Sequence, residues 1–168
     1  RLAPVESVFL TPVVVPSVLF GAALLLFYLH SPIRATLLVL LIGHVVIALP
    51  YALQMLMAGL AGIGLTLEEA AVSLGATPLQ AFAKVTLPLI RSSVISAAVL
   101  AFVISFGDVN LAIFLTGPST VTLPMVIFTD VLQLGEPTVA AASTVQILLV
   151  AILLIATRRW VRLRIAER

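Results

Sequence analysis

The chain has 168 residues, of which 62% are hydrophobic and only 10% charged, and its formal net charge is +2. Soluble domains average about 45–50% apolar and about 25% charged residues, so this composition, with a mean hydropathy of +1.27, indicates an integral membrane protein. The absence of cysteine excludes disulfide scaffolds, thiolate metal sites and cysteine nucleophiles.

The first uncharged stretch, residues 7–29, predicts a membrane span, because about 20 apolar residues cross the hydrocarbon core. Pro12 and Pro16 fall near its start. Prolines are tolerated in membrane helices but bend them, so we expect a kink here. A role of these prolines in shaping the wall of a pathway is the alternative.

A second span is predicted from Ala35 to about Met57, after a tight turn at residues 30–34. We expect Pro50 to break this helix. His44 lies inside it, and an intramembrane histidine is a candidate functional residue. The structural alternative, which we favour, is that its ring hydrogen-bonds a carbonyl of a neighbouring helix.

Residues 66–88 are the one long polar interruption of the sequence, and their capping residues predict two short helices. Thr66 with Glu69 fits a capping box at the start of the first helix. Gly75 sits where that helix would end, because glycine adopts the left-handed conformation at little cost.

The second helix of this loop is predicted to open at Thr77, with Pro78 at the first helical position and Gln80 completing another capping box. We expect Pro88 to end it. Small side chains would leave the loop compact enough for another protein to receive it. These small residues are Ala70, Ala71 and Ala76. From composition alone, an ordinary ordered loop is an equally good interpretation.

The third span is predicted to start near Ser92 and to reach about Phe106. This charge-free stretch is short for a bilayer, so we expect the helix to extend past Gly107 and Asp108. Asp108 would then lie at the outer mouth, where a carboxylate is costly unless it faces water, a partner or a cationic ligand. Asn110 would share that surface.

Residues 111–133 are predicted to form a re-entrant or surface segment and not a span. Residues 117–120 break the stretch, and irregular backbone survives in hydrocarbon only where protein or water covers it. A crossing here would also put the two basic parts of the chain, the 66–88 loop and the C-terminal tail, on opposite sides. That arrangement would violate the positive-inside rule.

A last span is predicted for residues 137–157, followed by a basic tail, residues 158–168, with Trp160 as an interfacial anchor. We expect this tail to be a cytoplasmic topology determinant. Binding of nucleic acid is the alternative for such a basic segment, and its position directly after a span argues against it.

The spacing within the 66–88 loop resembles the EAA loop of ABC importer permeases: Glu69-Ala70-Ala71, three residues, Gly75, nine residues, then Val85, one residue, Leu87 and Pro88. In that family the loop is cytoplasmic, and its first helix docks into a cleft of the ATP-hydrolysing subunit. The resemblance implies that the first helix and its turn form the coupling surface, while the later positions set the return into the next span. The residues are Glu69, Ala70, Ala71, Gly75 and Ala76 for the surface, and Val85, Leu87 and Pro88 for the return.

Further stretches extend the resemblance over roughly residues 8–160, where the chain is most like spermidine/putrescine permeases. They are Ser105 to Val109, Leu115 to Pro118, and Leu123-Pro124. The resemblance implies an all-α, polytopic helical bundle of the MetI-like fold in the bacterial inner membrane, with about four spans in one transmembrane domain over residues 1–168. Because the chain begins with Arg1 and shows no signal peptide, we expect it to lack the first helices of such permeases.

The sequence contains no phosphate-binding loop of the G-x-x-x-x-G-K-[ST] type, so ATP hydrolysis is assigned to a partner and the chain itself is not expected to be an enzyme. No nucleophile–base pair or metal-ligand spacing is evident either, and we expect no cofactor or metal. The resemblance implies as partners a dimer of ATPase subunits, a second permease subunit, a periplasmic or lipid-anchored solute-binding protein and a small-molecule solute.

A polyamine such as spermidine or putrescine is the favoured solute, because its positive charge would suit the predicted outer acids. These are Asp108, Asp130 and Glu136. Asp108, with Asn110, is the candidate lining of the substrate path; alternatively the acids are solvated or contact the binding protein. Related permeases carry ferric iron, thiamine or phosphonates. Polyamine permeases often have two acids before the position of Val109, and this sequence has one, so these other solutes stay open as alternatives. A membrane scaffold without transport activity and an ion-driven secondary transporter are further alternatives.

Overall fold

Helices form almost all of the chain that the structure describes. The computed structural model describes residues 15–31, 36–64, 66–117, 120–133 and 137–166, without the side chains of residue 36 and residues 162–166. In chain order its helices are α1 (Ser17–Leu29), α2 (Thr36–Ala61), α3 (Thr66–Ser73), α4 (Pro78–Leu89), α5 (Arg91–Gly107), α6 (Ala112–Leu115), α7 (Leu123–Gln133) and α8 (Pro137–Ala166). Within these ranges the only β pairing is an isolated bridge between Gly117 and Thr120, and the predicted all-α fold is confirmed.

Two helices in the described ranges are long and apolar enough to cross a membrane, Leu37–Ala61 of α2 and Pro137–Val161 of α8, each 25 residues long. Helices satisfy their own backbone hydrogen bonds, as hydrocarbon requires. α4 and α5 meet the same criterion only as a pair, with a bend of 71° between them. α1 is 13 residues long, and the start of the predicted first span, with Pro12, lies outside the described residues.

Two prolines do not have the predicted effect on their helices. Pro16 precedes α1 with φ −55° and ψ 130°, and its carbonyl accepts a hydrogen bond from the Phe20 N–H at 3.1 Å. The expected kink is wrong at Pro16, because a proline just before a helix removes no bonded N–H. Pro50 lies buried within α2, which runs from Thr36 to Ala61, so the predicted break is also wrong. One missing backbone hydrogen bond is tolerated where neighbouring helices cover the proline.

Pro88 does not end its helix either, because the turn before it is widened. Phe82–Thr86 of α4 form a π-helical turn, in which N–H groups bond carbonyls five residues back. Pro88 follows within the α-helical turn Leu87–Leu89, and the chain leaves helical geometry only at Ile90, with φ −90° and ψ 6°. The shifted hydrogen-bond pattern relieves the usual conflict between a proline ring and the carbonyl four residues earlier.

The buried centre of the described chain is α6 with the residue before it. Leu111 is fully buried and packs with Leu40 of α2. Gly21 on α1 and Gly43 on α2 let both helices approach Leu111 closely. A Cβ added at Gly43 would lie 2.8 Å from the Leu111 side chain. Neither α6 nor α7 is long enough to span a bilayer, so the described part of residues 111–133 contains no spanning helix, as predicted, and the re-entrant or surface position of this segment stays a prediction.

α5 is held between α2 and α8. Gly59 of α2 lies directly against Ser93 of α5, closer than a Cβ at that position would permit. The Gln146 Nε2 on α8 donates a hydrogen bond to the Phe106 carbonyl of α5 at 3.3 Å. α8 continues past the predicted end at residue 157 to Ala166, so the basic tail begins as further turns of the same helix.

Gly59→Val is expected to destabilise the protein by about 1–3 kcal/mol, because the new side chain would collide with Ser93 and force α2 and α5 apart. Gly62→Val is the matched control, since the nearest atom to a Cβ there lies at an ordinary 3.5 Å. Thermal unfolding of the purified full-length protein in detergent measures both variants. Equal melting temperatures would contradict the close approach of the two helices.

Candidate functional site

The first helix of the 66–88 loop ends in a hydrogen-bonded turn centred on Gly75. The Gly75 N–H bonds the Val72 carbonyl at 2.9 Å, and the Ala76 N–H bonds the Ala71 carbonyl at 3.1 Å. This pair of bonds is the Schellman arrangement, which favours a left-handed residue at the turn. Gly75 has φ +94°, so the predicted left-handed end of the helix is confirmed.

The structure describes the whole cap of α4, whereas the cap of α3 lies partly outside the described residues. Thr66 is the first residue of α3, and residue 65 before it lies outside the described chain, so the capping box of Thr66 and Glu69 stays a prediction. At the start of α4 the predicted box is present. The Gln80 N–H donates to Thr77 Oγ1 at 3.3 Å, and the Thr77 N–H donates to Gln80 Oε1 at 3.0 Å, with proline at the first helical position.

The connection between the two loop helices presents apolar side chains to solvent. Leu74 is 90% exposed and Leu79 is 76% exposed. Apart from the chain neighbours of Gly75, no atom of the described residues lies within 4 Å of the place that a Cβ there would occupy, so the space beside this turn is open in that part of the chain. Glu69 and Ala70 are exposed on α3. This ordered loop therefore offers exposed apolar side chains and a carboxylate that another protein could contact.

The remaining positions of the predicted loop motif are less exposed. Ala71 and Ala76 are half-buried at the turn, and Val85 and Pro88 are half-buried on α4, with Leu87 more exposed. α3 packs on α4, including its π-helical turn, and the last turn of α4 contacts α5. The loop therefore has a solvent-facing end at its glycine turn and another end joined to a membrane helix.

One contact within the loop is not predictable from the sequence pattern. Thr86 Oγ1 donates a hydrogen bond to Glu68 Oε2 at 2.8 Å, across 18 residues of chain. Thr86 is 6% exposed, and it is the one buried polar residue of the described chain. A spacing of 18 residues between different helices follows no helix or strand period. The only signal in the sequence for this contact is that Glu68 is a second acid beside Glu69.

A second candidate site is a cavity of about 290 Å³ between α2, α5 and the segment that leads into α7. Its wall includes Phe102 and Phe106, whose rings stack with centroids 5.1 Å apart. Its polar lining residues are His44, Ser105, Asp108 and Thr122. The Thr122 hydroxyl oxygen is buried and has no hydrogen-bond partner within the described chain. An unpaired buried hydroxyl is costly unless water or a ligand meets it.

Asp108 lines this cavity from a turn and not from a helix. α5 ends at Gly107, and Asp108 is extended with φ −78° and ψ 123°, so the predicted extension of the span past both residues is wrong. The carboxylate oxygen Oδ2 accepts a hydrogen bond from the Leu111 N–H at 2.8 Å. Aspartate commonly caps a turn in this way, because its short side chain competes for backbone N–H groups. The second oxygen, Oδ1, retains its capacity as an acceptor.

His44 also lines the cavity, and its ring is held by its own helix. The Nδ1 atom lies 2.8 Å from the Leu40 carbonyl oxygen. A carbonyl only accepts hydrogen bonds, so Nδ1 carries the proton in this contact and Nε2 of the neutral ring is an acceptor. The expected bond to a neighbouring helix is wrong, because the partner lies four residues earlier on α2.

The structure does not bring Asn110 into the cavity. Its Nδ2 donates a hydrogen bond to Ser17 Oγ at 3.1 Å, at the start of α1, and the residue is exposed. Asp130 lies half-buried on α7 and does not line the cavity, and residue 136 lies outside the described chain. Of the predicted outer acids that the structure describes, only Asp108 faces the cavity.

Comparison with known proteins places the chain among transport permeases. A family model described as "Binding-protein-dependent transport system inner membrane component" matches residues 3–167. The putrescine transport system permease protein PotI of Escherichia coli (strain K12) is 36% identical over 139 residues, which are 79% of this chain and 50% of that protein. The spermidine/putrescine transport system permease protein PotC of the same strain is 31% identical over 143 residues, 85% of this chain and 54% of that protein.

A relative named for a different solute is also similar. The putative 2-aminoethylphosphonate transport system permease protein PhnV of Salmonella paratyphi A is 29% identical over 165 residues, 97% of this chain and 62% of that protein. The chain thus spans 50% to 62% of the length of these three relatives. Because the family model matches almost the whole sequence, the chain belongs to the family of inner membrane components of binding-protein-dependent transport systems, the permeases of ABC importers.

Proposed function

We propose that this chain forms the translocating part of a permease subunit in an ATP-driven, binding-protein-dependent importer. The observation that carries the proposal is the turn of the 66–88 loop, which hydrogen bonds fix and which exposes Leu74 beside the open space at Gly75. A turn that is already ordered favours docking, because little conformational entropy is lost on binding. The docking partner would be an ATPase subunit in the cytoplasm.

Coupling to ATP hydrolysis would follow from how the loop is joined to the membrane helices. α3 packs on α4, and α4 leads through the bend at Ile90 into α5. Closure of two ATPase subunits would move α3, and α5 would follow and open the pathway outward. Only a difference in contacts between two states of the bundle can drive such a change. In this scheme Glu69, Ala70, Ala71, Gly75 and Ala76 form the docking surface, and Val85, Leu87 and Pro88 direct the motion into α5.

The solute in this proposal is a small amine, with a polyamine such as putrescine or spermidine as the first choice. Two relatives, at 36% and 31% identity, are named for putrescine or spermidine/putrescine transport. The cavity supports the same choice, because Asp108 Oδ1, Thr122 Oγ1 and the Nε2 of a neutral His44 can accept hydrogen bonds, and an ammonium group has three donors. The stacked rings of Phe102 and Phe106 would contact the alkyl chain or the cation itself.

A phosphonate is the second candidate solute, because PhnV is named for 2-aminoethylphosphonate transport. An amino group on that solute would suit the same acceptors. Its phosphonate group would need a basic partner, and the lining that the structure describes contains no lysine or arginine. Ferric iron and thiamine are the remaining alternatives. Asn110, exposed beside Ser17, is a further candidate for the substrate path outside the cavity.

The orientation in this proposal places the 66–88 loop and the C-terminal tail in the cytoplasm and Asp108 toward the outside of the inner membrane. Lys84, Arg91 and Arg158 would then lie on the cytoplasmic side, as the positive-inside rule favours. A second permease subunit and a periplasmic or lipid-anchored binding protein would complete the importer. A membrane scaffold without transport activity remains the alternative from another class.

Gly75→Val is expected to weaken binding of the ATPase subunit about tenfold, whereas Gly75→Asn is expected to retain it. Valine resists a positive φ at a cost of about 1–2 kcal/mol, while asparagine tolerates it. Because no atom of the described chain beyond the neighbours of Gly75 lies within 4 Å of a Cβ there, the difference would come from backbone conformation and not from a clash within the loop. Co-purification of the ATPase with the full-length permease measures it. Equal binding by the two variants would contradict a role for the left-handed turn.

ATP-dependent uptake of radiolabelled putrescine tests the function, with the full-length permease reconstituted in vesicles with its ATPase and binding protein. We expect uptake that requires ATP, that spermidine suppresses, and whose KM rises about tenfold in Asp108→Asn. The amide oxygen can still accept the Leu111 N–H bond, so the turn is kept while the negative charge is lost. Loss of a hydrogen bond to a charged group costs about 1.5–3 kcal/mol.

Asp130→Asn is the matched control for this measurement, because it removes an acid that does not line the cavity. It should transport putrescine with the KM of the unmodified permease. An unchanged KM in Asp108→Asn would remove that residue from the substrate path. Uptake that persists without ATP and collapses with the ion gradient would identify a secondary transporter, and transport of none of the named solutes would favour a scaffold.

A further inference from the structure

Thr86 lies where the 66–88 loop joins the bend into the membrane. It is the last residue of the π-helical turn in α4, and its carbonyl accepts a hydrogen bond from the Ile90 N–H at 3.0 Å. α4 gives way to α5 at Ile90, with a bend of 71°. The Ile90 carbonyl in turn accepts the Val94 N–H at 2.9 Å, inside α5. Backbone hydrogen bonds therefore connect Thr86 directly to the first turn of the membrane helix.

The side chain of Thr86 makes a separate connection, to the docking helix α3. Its Oγ1 donates to Glu68 Oε2 at 2.8 Å. Thr86 is buried and Glu68 is half-buried, so water competes little for this hydrogen bond. Hydrogen bonds to a carboxylate are about twice as strong as neutral ones, and a buried partner that loses its bond is left with a large desolvation cost.

The chain offers a longer covalent route between the same two helices. From α3 it runs around the turn at Gly75, through the cap at Thr77 and along α4 to Ile90. The Glu68–Thr86 hydrogen bond bypasses the turn and the first part of α4. Its acceptor side lies on the helix proposed to bind the ATPase, and its donor side lies in a π-helical turn, an irregular geometry that is frequent at functional sites.

We propose that the hydrogen bond between Glu68 and Thr86 makes α3 and the start of α5 move as one body, so that Glu68 and Thr86 are positioning residues for coupling. This inference rests on the proposed function of the 66–88 loop in binding an ATPase subunit. Neither residue belongs to the EAA-type spacing that carries the family resemblance. Without the hydrogen bond, α3 would still dock, but part of its displacement would be absorbed at the turn and would not reach α5.

The two neighbouring acids of α3 divide these tasks. Glu69 is exposed and accessible to a partner, whereas Glu68 is half-buried and bonded to Thr86. Successive side chains on a helix point about 100° apart, so adjacent acids face different surroundings. Glu69→Ala and Glu68→Ala therefore form a matched pair, in which the same chemical change should have two different consequences.

Thr86→Val removes the hydroxyl and keeps the shape of the side chain. In vesicles that contain the full-length permease, its ATPase and its binding protein, we expect this variant to keep the bound ATPase and its rate of ATP hydrolysis. The amount of putrescine transported per ATP hydrolysed is expected to fall about tenfold, because one charge-assisted hydrogen bond between α3 and α4 is lost. Thr86→Ser, which retains a hydroxyl, should restore the ratio.

Two further variants keep the test decisive. Glu68→Ala should reproduce the effect of Thr86→Val, and the double variant should be no worse than either single one, because both remove the same bond. Glu69→Ala should instead lose the bound ATPase. An unchanged transport ratio in Thr86→Val, additive losses in the double variant, or loss of the ATPase in Thr86→Val would each overturn the proposal. Absence of ATP-dependent uptake in the unmodified permease would refute the proposed function itself.

Discussion

A chain that enters hydrocarbon must bond its backbone N–H and C=O groups within the protein, and this requirement governs the places where the present chain leaves its regular helices. The π-helical turn carries helical hydrogen bonding through to Pro88 and up to the bend. Beyond α5, the Asp108 carboxylate takes up the Leu111 N–H. The solvent-facing turn of the 66–88 loop is not under this constraint, but there too Gly75 and Ala76 take up carbonyls at the end of α3. These breaks between helices hold the residues proposed to bind the partner and the solute.

α5 connects the two candidate sites. Its first turn follows the bend at Ile90, and its last turns carry Phe102 and Phe106 to the cavity, just before Asp108. Its 17 residues correspond to about 25 Å at about 1.5 Å per residue, somewhat less than the roughly 30 Å of the hydrocarbon core. A helix of this length is stiff along its axis, so a displacement at the loop would be felt at the cavity. The proposed ATPase surface and the proposed solute site are thus linked by one element.

Sequence reasoning succeeded where neighbouring residues decide the outcome. The capping box of Thr77 and Gln80 and the left-handed Gly75 depend on residues within five positions of each other, and both are present. The family spacing likewise lies on one loop. Pro50 and Pro88 were mispredicted, because their effect depends on neighbouring helices and on a π-helical turn that no residue type signals.

The features of the two candidate sites that the sequence did not predict also depend on side-chain contacts that residue types alone do not signal. Asp108 was expected inside a longer helix, but its side chain caps the Leu111 N–H and helps to end that helix. The Glu68–Thr86 hydrogen bond joins residues 18 apart in the chain, and only the packing of α3 on α4 brings them together.

A photo-crosslinking amino acid at Leu74 of the full-length permease, in intact membranes, tests the central claim most directly. Leu74 is 90% exposed at the loop turn, and Val131, 57% exposed on α7, is the control. We predict an adduct with the ATPase subunit from position 74 and none from position 131; an ATPase adduct from position 131, or none from position 74, would contradict the docking of this loop.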